Sequence, residues 1–364
     1  MHLTLVAGAR PNFMKIAPII QAASRASGVQ TRLVHTGQHY DERMSDQFFK
    51  DLQIPEPDLH LNVGSASHAV QTARTMIAFD KALDDCATDV VLVVGDVNST
   101  LACALVAAKR NIPVAHVEAG LRSRDRQMPE EINRVLTDQI SEYLFTTERD
   151  AADNLQSEGV PSEKIFFVGN VMIDTLLKHR AVARDTSTVL GRLQLQPRGY
   201  AACTLHRPSN VDTREAAERT VRAVSEVARR LRVVLPLHPR SARQFHDYGL
   251  FDTLQQSATV VEPLGYLDFL ALLDHARLVL TDSGGIQEET TVLGVPCLTF
   301  RENTERPITV TQGTNRVVGL DPNNVAKAVD DIMTTAVFTA RVPEFWDGRA
   351  SERIVATLTR QRSR

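Results

Sequence analysis

Short apolar runs alternate with longer segments of helical periodicity along most of this chain. In the first half the apolar runs lie at residues 3–6, 31–35, 90–94, 114–117, 143–146 and 164–168. Regular alternation of strand and helix predicts an α/β fold, in which a parallel sheet is covered by helices on both faces.

The alternation stops at residues 171–198, which are predicted to form one helix followed by a polar link. It restarts with strands predicted at residues 200–205, 233–237, 259–261, 278–280 and 297–300. We therefore expect two domains, 1–170 and 171–344. The tail, residues 345–364, is predicted to be a helix that places Ile354 and Leu358 on one face and packs back on the first domain.

Composition excludes several classes of function. The chain has 364 residues, of which 43% are hydrophobic, and a net charge of -3. No broad basic surface favours nucleic acid or an anionic membrane, and no apolar run approaches the ~20 residues of a membrane helix. The four cysteines have neither metal-ligand spacing nor a disulfide framework, and Arg10 and Lys15 interrupt any signal peptide. We expect a soluble protein of the reducing cytoplasm.

The predicted strand at 278–280 ends abruptly in the turn Ser283-Gly284-Gly285, and a helix follows. Glycines let the backbone approach a ligand, and the free N–H groups of a helix start favour a phosphate. Glu289, early in that helix, could accept hydrogen bonds from ribose hydroxyls. A plain tight turn explains the two glycines about equally well, because the signal is weaker than a P-loop.

Charged residues also follow the strands of the first half, and parallel sheets bind ligands at that edge. Arg10 and Lys15 follow the first strand and could reach an anion, or could simply be solvated. No GxGxxG motif is present, so the dinucleotide fingerprint is absent.

Three carboxylates follow neighbouring elements of the first half. Asp96 either faces a cleft or caps the helix that follows it. Glu130 either takes part in a site or complements the dipole of its own helix. Glu118 ends an apolar strand, where an unpaired carboxylate is costly to bury, so it needs a partner such as Arg122 or a function. Carboxylates held close together raise one another's pKa, which separates acid and base roles.

The helix that begins near Glu130 is predicted to bury an apolar stripe made of Ile132, Val135, Leu136 and Ile140.

The second half adds candidates at its own strand ends. His206 follows the first strand of this half and is either a cleft residue or a surface histidine, and His238 repeats the arrangement one strand later. Phe269 could stack on a base, although such a residue more often belongs to the core. Arg306 precedes Pro307, which favours an extended conformation that could face the same ligand.

Taken together, these motifs resemble the UDP-N-acetylglucosamine 2-epimerases of the non-hydrolysing bacterial type. The resemblance spans nearly the whole chain through GARPNFMK, TGQHYDERM, GDVNST, HVEAGLRS, PEEINR, TLHRPSN, DSGGIQEE and TERP. It implies a glycosyltransferase-B type fold, which is α/β with two Rossmann-like doubly wound domains and the ligand in the cleft between them.

The resemblance also implies roles for single residues. The implied catalytic residues are Asp96, Glu118, Glu130 and His206. The implied contacts to the nucleotide are Arg10, Lys15, Phe269, Ser283, Gly284, Gly285, Glu289 and Arg306. Glu289 would bind the ribose, and the turn from Ser283 to Gly285 would bind the diphosphate. The implied partners are a UDP-sugar and a second copy of the chain, with no metal, cofactor, nucleic acid or membrane.

One region departs from the family pattern. Pro208 and Ser209 stand where many bacterial members have an arginine and an acid. In the family that region is linked to activation by a second substrate molecule, so the resemblance does not imply such activation here. Gln38 and His238 keep part of the pattern.

The implied reaction expels UDP from C1, removes the C2 proton to give a 2-acetamidoglucal, and adds UDP back after protonation on the other face. The two halves are expected to close on the ligand and exclude water. Four alternatives remain: a glycosyltransferase, a hydrolysing epimerase, an epimerase of a more decorated sugar such as a diacetamido uronic acid, and a non-catalytic sensor.

Overall fold

The computed structural model describes residues 1–37, 52, 54–205, 207–335 and 341–362, without the side chains of Arg10, Pro208 and Arg362. The chain divides into two compact units. Unit 1 comprises Met1–Lys178 and Glu344–Arg364, and unit 2 comprises His179–Pro343. The domain limits inferred from the sequence, with boundaries at 170 and 344, stay a prediction.

Unit 1 is built on a seven-stranded parallel sheet, counted over the described residues. Its strands are β1 (His2–Ala7), β2 (Gln30–His35), β3 (Leu59–His60), β4 (Val90–Val94), β5 (Val114–Ala119), β6 (Tyr143–Thr146) and β7 (Ile165–Phe167). Its helices, of which the last continues into unit 2, are α1 (Arg10–Ser24), α2 (His68–Ala82), α3 (Asn98–Lys109), α4 (Pro129–Ile140), α5 (Arg149–Ser157) and α6 (Val171–Thr186). The strand order is β3-β2-β1-β4-β5-β6-β7.

Unit 2 contains a six-stranded parallel sheet, again counted over the described residues. The helices before and between its first strands are α7 (Val189–Arg192), α8 (Pro208–Val211), α9 (Arg214–Ala228), α10 (Pro239–Asp247) and α11 (Phe251–Ser257). The strands are β8 (Tyr200–Thr204), β9 (Arg232–Pro236), β10 (Thr259–Val261), β11 (Leu278–Thr281), β12 (Cys297–Thr299) and β13 (Asn315–Val317). The remaining helices are α12 (Tyr266–Asp274), α13 (Gly284–Leu293), α14 (Pro307–Thr311) and α15 (Pro322–Thr334). The order is β10-β9-β8-β11-β12-β13.

Both sheets are doubly wound, which confirms the predicted α/β class with two Rossmann-like halves. The chain starts in the middle of each sheet, moves to one edge, and then returns to build the other side. The switch points lie between β1 and β4 in unit 1 and between β8 and β11 in unit 2. Ligands of such sheets bind outside the carboxyl ends of the strands at these points.

The central strands are apolar because helices cover both faces of the sheet. All five residues of β4 are buried, for example, and so are all four of β11. This full burial explains why the strands read as continuous apolar runs rather than as alternating patterns.

The chain ends in helix α16 (Ala350–Arg362), which packs against α1 within unit 1. The helix starts five residues later than predicted, because the buried carboxylate of Asp174 accepts the N–H groups of Ala350 and Ser351 at 3.1 and 2.7 Å. Before it, the indole of Trp346 is buried and donates to the carbonyl of Thr147 at 3.1 Å. No helix of the described residues is long and apolar enough to cross a membrane.

Candidate active site

A buried ion pair lies at the switch point of unit 1. The ammonium group of Lys15, on α1, donates to the carboxylate of Glu118, on β5, and both side chains are almost fully buried. The sequence suggested Arg122 as the partner of Glu118, and that was wrong. Arg122 instead pairs with Asp138 at 2.7 Å and Glu158 at 2.6 Å.

The backbone of Glu118 is itself unusual. Its φ of 70° lies in the left-handed region, which residues other than glycine rarely adopt. The register of β5 on β6 slips here, since Val117 is opposite Phe145 whereas Ala119 is opposite Thr146. Glu118 is thus the extra residue of a β-bulge, a device that redirects a side chain and often marks a functional site.

Asp96 follows β4, the neighbour of β5, and is held by helix α4. Its carboxylate, 32% exposed, accepts a hydrogen bond from Arg134 at 2.5 Å. Its carbonyl accepts another from the amide of Asn133 at 2.9 Å. The alternative role as a helix cap is not observed, because Val97 is the N-cap of α3 and no side chain caps that helix.

Two adjacent glutamates begin helix α4 and have different surroundings. Glu131 accepts hydrogen bonds from the N–H groups of Ser123 and Arg124, both at 2.9 Å, and from Arg134 at 2.8 Å. Burial raises the pKa of Glu131, but these donors outweigh it and leave the pKa below its ordinary value. Glu130 is half-buried and makes no hydrogen bond or ion pair with any described residue. Glu131 therefore supports the local structure, and Glu130 is left for another partner.

Helix α4 buries its polar face. Among its buried residues are Asn133, Arg134 and Asp138, whereas Ile132 and Leu136 are each 48% exposed. The prediction that Ile132 and Leu136 belong to a buried stripe was therefore wrong. The polar residues can be buried because they pair with the strand ends of the sheet.

The switch point of unit 2 is a helix N-terminus built on glycine. Ser283 is the N-cap of α13, and its N–H donates to the hydroxyl of Thr281 at 3.0 Å. At Gly284 a Cβ atom would lie 2.5 Å from Oε1 of Glu305 and 3.1 Å from Nε of Arg306. Glycine is thus required for space, since charged side chains lie directly against the turn.

Those side chains form a charged cluster beside the turn. Arg306 pairs with Glu288, Arg301 pairs with Glu305 at 2.7 Å, and Arg207 lies 3.8 Å from Glu305. Burial raises the pKa of Glu305, but the arginines outweigh it and hold the pKa well below its usual range. Guanidinium groups thus lie beside the N-terminus of α13, where the helix dipole also favours an anion.

One carboxylate of α13, that of Glu289, has no paired cation among the described residues. Glu289 is fully buried, and burial raises its pKa to about 8. The hydroxyl of Tyr266 on α12 is also buried, with no hydrogen-bond partner among the described residues. Phe269 lies half-buried on the same helix. Unused hydrogen-bonding capacity at Glu289 and Tyr266 is what a polar ligand would satisfy.

The loop after β8 carries the remaining candidate, His206, which lies outside the described residues, as does the side chain of Arg10. The buried carboxylate of Asp282 accepts the N–H of Arg207 at 3.0 Å and the amide of Asn210 at 3.1 Å. Asp282 thus ties this loop to the glycine turn. Asp282 was not among the predicted site residues, although it follows an apolar strand directly, and an acid at the end of an apolar strand was the signal that singled out Glu118.

Comparison with known proteins identifies close relatives. A family model described as UDP-N-acetylglucosamine 2-epimerase matches residues 21–359. The UDP-N-acetylglucosamine 2-epimerase of Methanocaldococcus jannaschii is 43% identical over 365 residues, which cover 99% of either chain. The UDP-2,3-diacetamido-2,3-dideoxy-D-glucuronate 2-epimerase of Pseudomonas aeruginosa is 41% identical over 322 residues, or 88% of each chain. The crystal structure of the M. jannaschii enzyme in complex with UDP-GlcNAc and UDP matches with a TM-score of 0.92 and 43% identity, covering 99% of this chain and 100% of that one.

Proposed function

Because this chain belongs to the UDP-N-acetylglucosamine 2-epimerase family, we propose that it interconverts UDP-N-acetylglucosamine and UDP-N-acetylmannosamine by inverting C2 of the sugar. Membership of the family and the assignment as an enzyme of this kind were both predicted, and both are confirmed. The observation that carries the proposal is the carboxylate of Glu118, which lies at a β-bulge and is buried against Lys15. Asp96 follows the neighbouring strand, β4.

The chemistry requires an indirect route, because the C2 hydrogen is not next to a carbonyl group. In the proposed first step a carboxylate takes the C2 proton while the C1–O bond breaks and its electron pair leaves with UDP. The product is a 2-acetamidoglucal. In reverse, UDP forms the C1–O bond again, and a second acid returns a proton to C2 from the opposite face.

Unit 2 supplies groups suited to the nucleotide. The N-terminus of α13 and the guanidinium groups beside it suit a diphosphate, which also carries the leaving-group charge. Glu289 suits the ribose hydroxyls, which would donate to its carboxylate, and Phe269 suits stacking on the base. Arg306, Ser283, Gly284 and Gly285 complete the proposed binding set.

Unit 1 supplies groups suited to proton transfer. Its three carboxylates differ in their neighbours: Lys15 lies beside Glu118 and Arg134 beside Asp96, while Glu130 has no paired cation among the described residues. Different surroundings are what separate the role of acid from that of base. We assign the two proton transfers to this group. His206 is proposed as a further catalytic residue and Arg10 as an anion contact, although neither side chain belongs to the described residues.

Incubation with UDP-GlcNAc in heavy water tests this function. Proton NMR should show deuterium entering C2 in both epimers, with their ratio reaching equilibrium. Deuterium-free substrate after long incubation would refute the epimerase. Accumulation of free UDP and N-acetylmannosamine would replace it with the hydrolysing reaction.

A second candidate acts on a more decorated sugar. The P. aeruginosa relative, named for a diacetamido uronate, is almost as similar to this chain as the M. jannaschii relative named for UDP-GlcNAc. Parallel assays of both UDP-sugars in heavy water decide between them. We expect the higher kcat/KM with UDP-GlcNAc, and a tenfold preference for the uronate would replace the first candidate with the second.

The exposed apolar face of unit 1 supports a homodimer. Ile132 and Leu136 of α4 are about half exposed, and so are Ile77 and Val70 of α2. Helices α2 and α4 both pack against α3, so these residues belong to one layer of helices. We propose that a second copy of the chain covers this layer.

All four cysteines are free, which fits the cytoplasm as the proposed compartment.

A further inference from the structure

A fully buried histidine lies beneath the carboxylates of unit 1. His116, on β5, has Nδ1 2.6 Å from Oδ1 of Asp138 and Nε2 2.8 Å from the carbonyl oxygen of Gly95. A carboxylate and a carbonyl oxygen only accept hydrogen bonds, so both ring nitrogens must donate. The ring can satisfy both acceptors only in its doubly protonated, positively charged form.

Its partner Asp138, on α4, connects several elements. Besides His116, its carboxylate accepts the N–H of Gly120 at 3.1 Å and the guanidinium of Arg122 at 2.7 Å. Arg122 in turn pairs with Glu158. Two positive and two negative groups thus balance one another, which allows this cluster to be buried.

His116 and Asp138 contact two turns, one directly before Asp96 and one shortly after Glu118. His116 holds the carbonyl of Gly95, the residue before Asp96, and Asp138 holds the N–H of Gly120, two residues after Glu118. The first turn is tight, because a Cβ on Gly95 would lie 3.3 Å from Nζ of Lys15 and 3.5 Å from Oε2 of Glu118. Movement of this turn would therefore displace Asp96 relative to Glu118.

We propose that His116 and Asp138 are positioning residues that fix the carboxylate of Asp96 relative to that of Glu118. The inference rests on the proposed epimerase function, since it specifies how the acid–base groups are held. Neither residue touches the reacting atoms. Their effect is on turnover because proton transfer depends steeply on geometry, and a shift of about 1 Å costs roughly 10²-fold in rate.

Two substitutions at His116 separate its two hydrogen bonds. His116→Gln places a donor near the position of Nε2 and keeps the bond to Gly95, whereas His116→Asn places one near Nδ1 and keeps the bond to Asp138. We expect His116→Asn to lower kcat about 10- to 100-fold with KM within about threefold of wild type. The glutamine variant should retain at least tenfold more activity than the asparagine variant, because the turn before Asp96 is still held.

Asp138→Asn tests the charge of the pair while keeping its shape. An asparagine amide can donate to Nδ1 of a neutral His116 and still accept from Gly120 and Arg122. We expect kcat to fall about tenfold with little change in melting temperature, because hydrogen bonds between neutral groups hold the two turns less firmly than the charge-assisted bonds they replace. Glu158→Gln is the matched control, since it also removes a carboxylate from Arg122 but touches neither turn. It should turn over within about twofold of wild type.

NMR of 15N-histidine-labelled enzyme provides a readout that a purely structural role would not change. The resting enzyme should show two N–H protons on the His116 ring, and Asp138→Asn should show one. The proposal is overturned if the wild-type ring carries a single proton, if His116→Asn and Asp138→Asn turn over like Glu158→Gln, or if His116→Gln is as impaired as His116→Asn. Failure of the epimerase proposal would look different, because wild-type enzyme would then leave C2 free of deuterium.

Discussion

The two sheets share one winding order, but their switch points present different kinds of groups. Unit 1 presents side-chain carboxylates, of which Glu118 and Asp96 are each paired with a cation. Unit 2 presents the start of a helix at Gly284, with Arg306 and Glu305 directly against it. Backbone N–H groups do not titrate, so they suit an anion that must be held throughout a reaction. Proton transfer needs groups that do titrate, and only side chains provide them.

The two sites also use unusual backbone in different ways. In unit 1 a glutamate occupies a left-handed conformation, at a cost of order 1 kcal/mol, so that a side chain is delivered to a strand end. In unit 2 a glycine is placed where a side chain would collide with Glu305. The comparison predicts that substitutions in unit 1 mainly lower kcat and that substitutions in unit 2 mainly weaken nucleotide binding.

The largest effect is expected from Glu118→Gln. Loss of an acid–base group should lower kcat about 10²–10⁴-fold, measured as C2 deuterium uptake, while UDP affinity measured by calorimetry stays within about threefold of wild type. Glu142→Gln, at the exposed start of the neighbouring strand, serves as the control. A folded Glu118→Gln enzyme with normal turnover would remove Glu118 from the mechanism.

Gly284→Ala should produce the opposite profile. The added Cβ would displace Glu305 and Arg306 from the turn, so UDP should bind about 10- to 100-fold more weakly, with a smaller change in kcat at saturating substrate. Gly191→Ala is the matched control in unit 2, because no neighbouring atom lies within 4 Å of its added Cβ. If both variants bind UDP equally well, the nucleotide does not sit on this turn.

Glu289→Gln is expected to stabilise the fold and to weaken the binding of UDP. Burial raises the pKa of Glu289 from 4.5 to about 8, so the wild-type free energy of unfolding falls as pH rises between these values and levels off above 8. The variant lacks this loss, and its melting temperature should exceed that of wild type by an amount that grows from pH 5 to pH 8.

The same substitution should weaken UDP binding about tenfold at pH 8, because hydrogen bonds from ribose to a carboxylate are replaced by bonds to a neutral amide. Wild-type affinity should increase from pH 6 to pH 8 as Glu289 loses its proton, and the affinity of the variant should not. Glu262→Gln, an exposed residue of unit 2, should change neither property. A wild-type affinity that is flat with pH would exclude Glu289 from the ribose site.

The smallest effect on turnover is expected from Leu136→Asp, on the exposed face of α4. A charge on this apolar face should convert a dimer into a monomer in analytical ultracentrifugation. We expect kcat to change less than about threefold, because Leu136 is exposed and does not belong to the buried polar face of α4. Thr334→Asp, on an exposed position of unit 2, is the control. A wild-type protein that sediments as a monomer would contradict the proposed dimer.

Much of the fold could be predicted because buried parallel strands leave continuous apolar runs. The predicted bounds of β4, β6 and β10 agree with the structure. Two edge strands, β3 and β13, were missed, since Leu59–His60 and Asn315–Val317 contain polar residues and no continuous apolar run. The position of these two strands is set by their neighbours rather than by their own sequence.

The partners of the site residues could not be predicted in the same way. Lys15 and Glu118 are 103 positions apart, so only the completed sheet brings them together, and the nearby Arg122 was the wrong choice. For α4, periodicity showed that two faces differ but not which one is buried. Asn133 and Arg134 are buried because the strand end at Asp96 offers them acceptors, and that information is tertiary.

The bulge at Glu118 has a consequence for engineering of this sheet. A chain that lacks this single residue could pair β5 with β6 without interruption, and it would lose a left-handed glutamate at the same time. Such a deletion would also leave the buried ammonium group of Lys15 without its carboxylate, and an unpaired buried charge is strongly destabilising. Regular pairing of β5 with β6 would therefore require a second change, of Lys15 to an apolar residue, and the resulting chain would keep the sheet but lose the carboxylate that the proposed reaction needs.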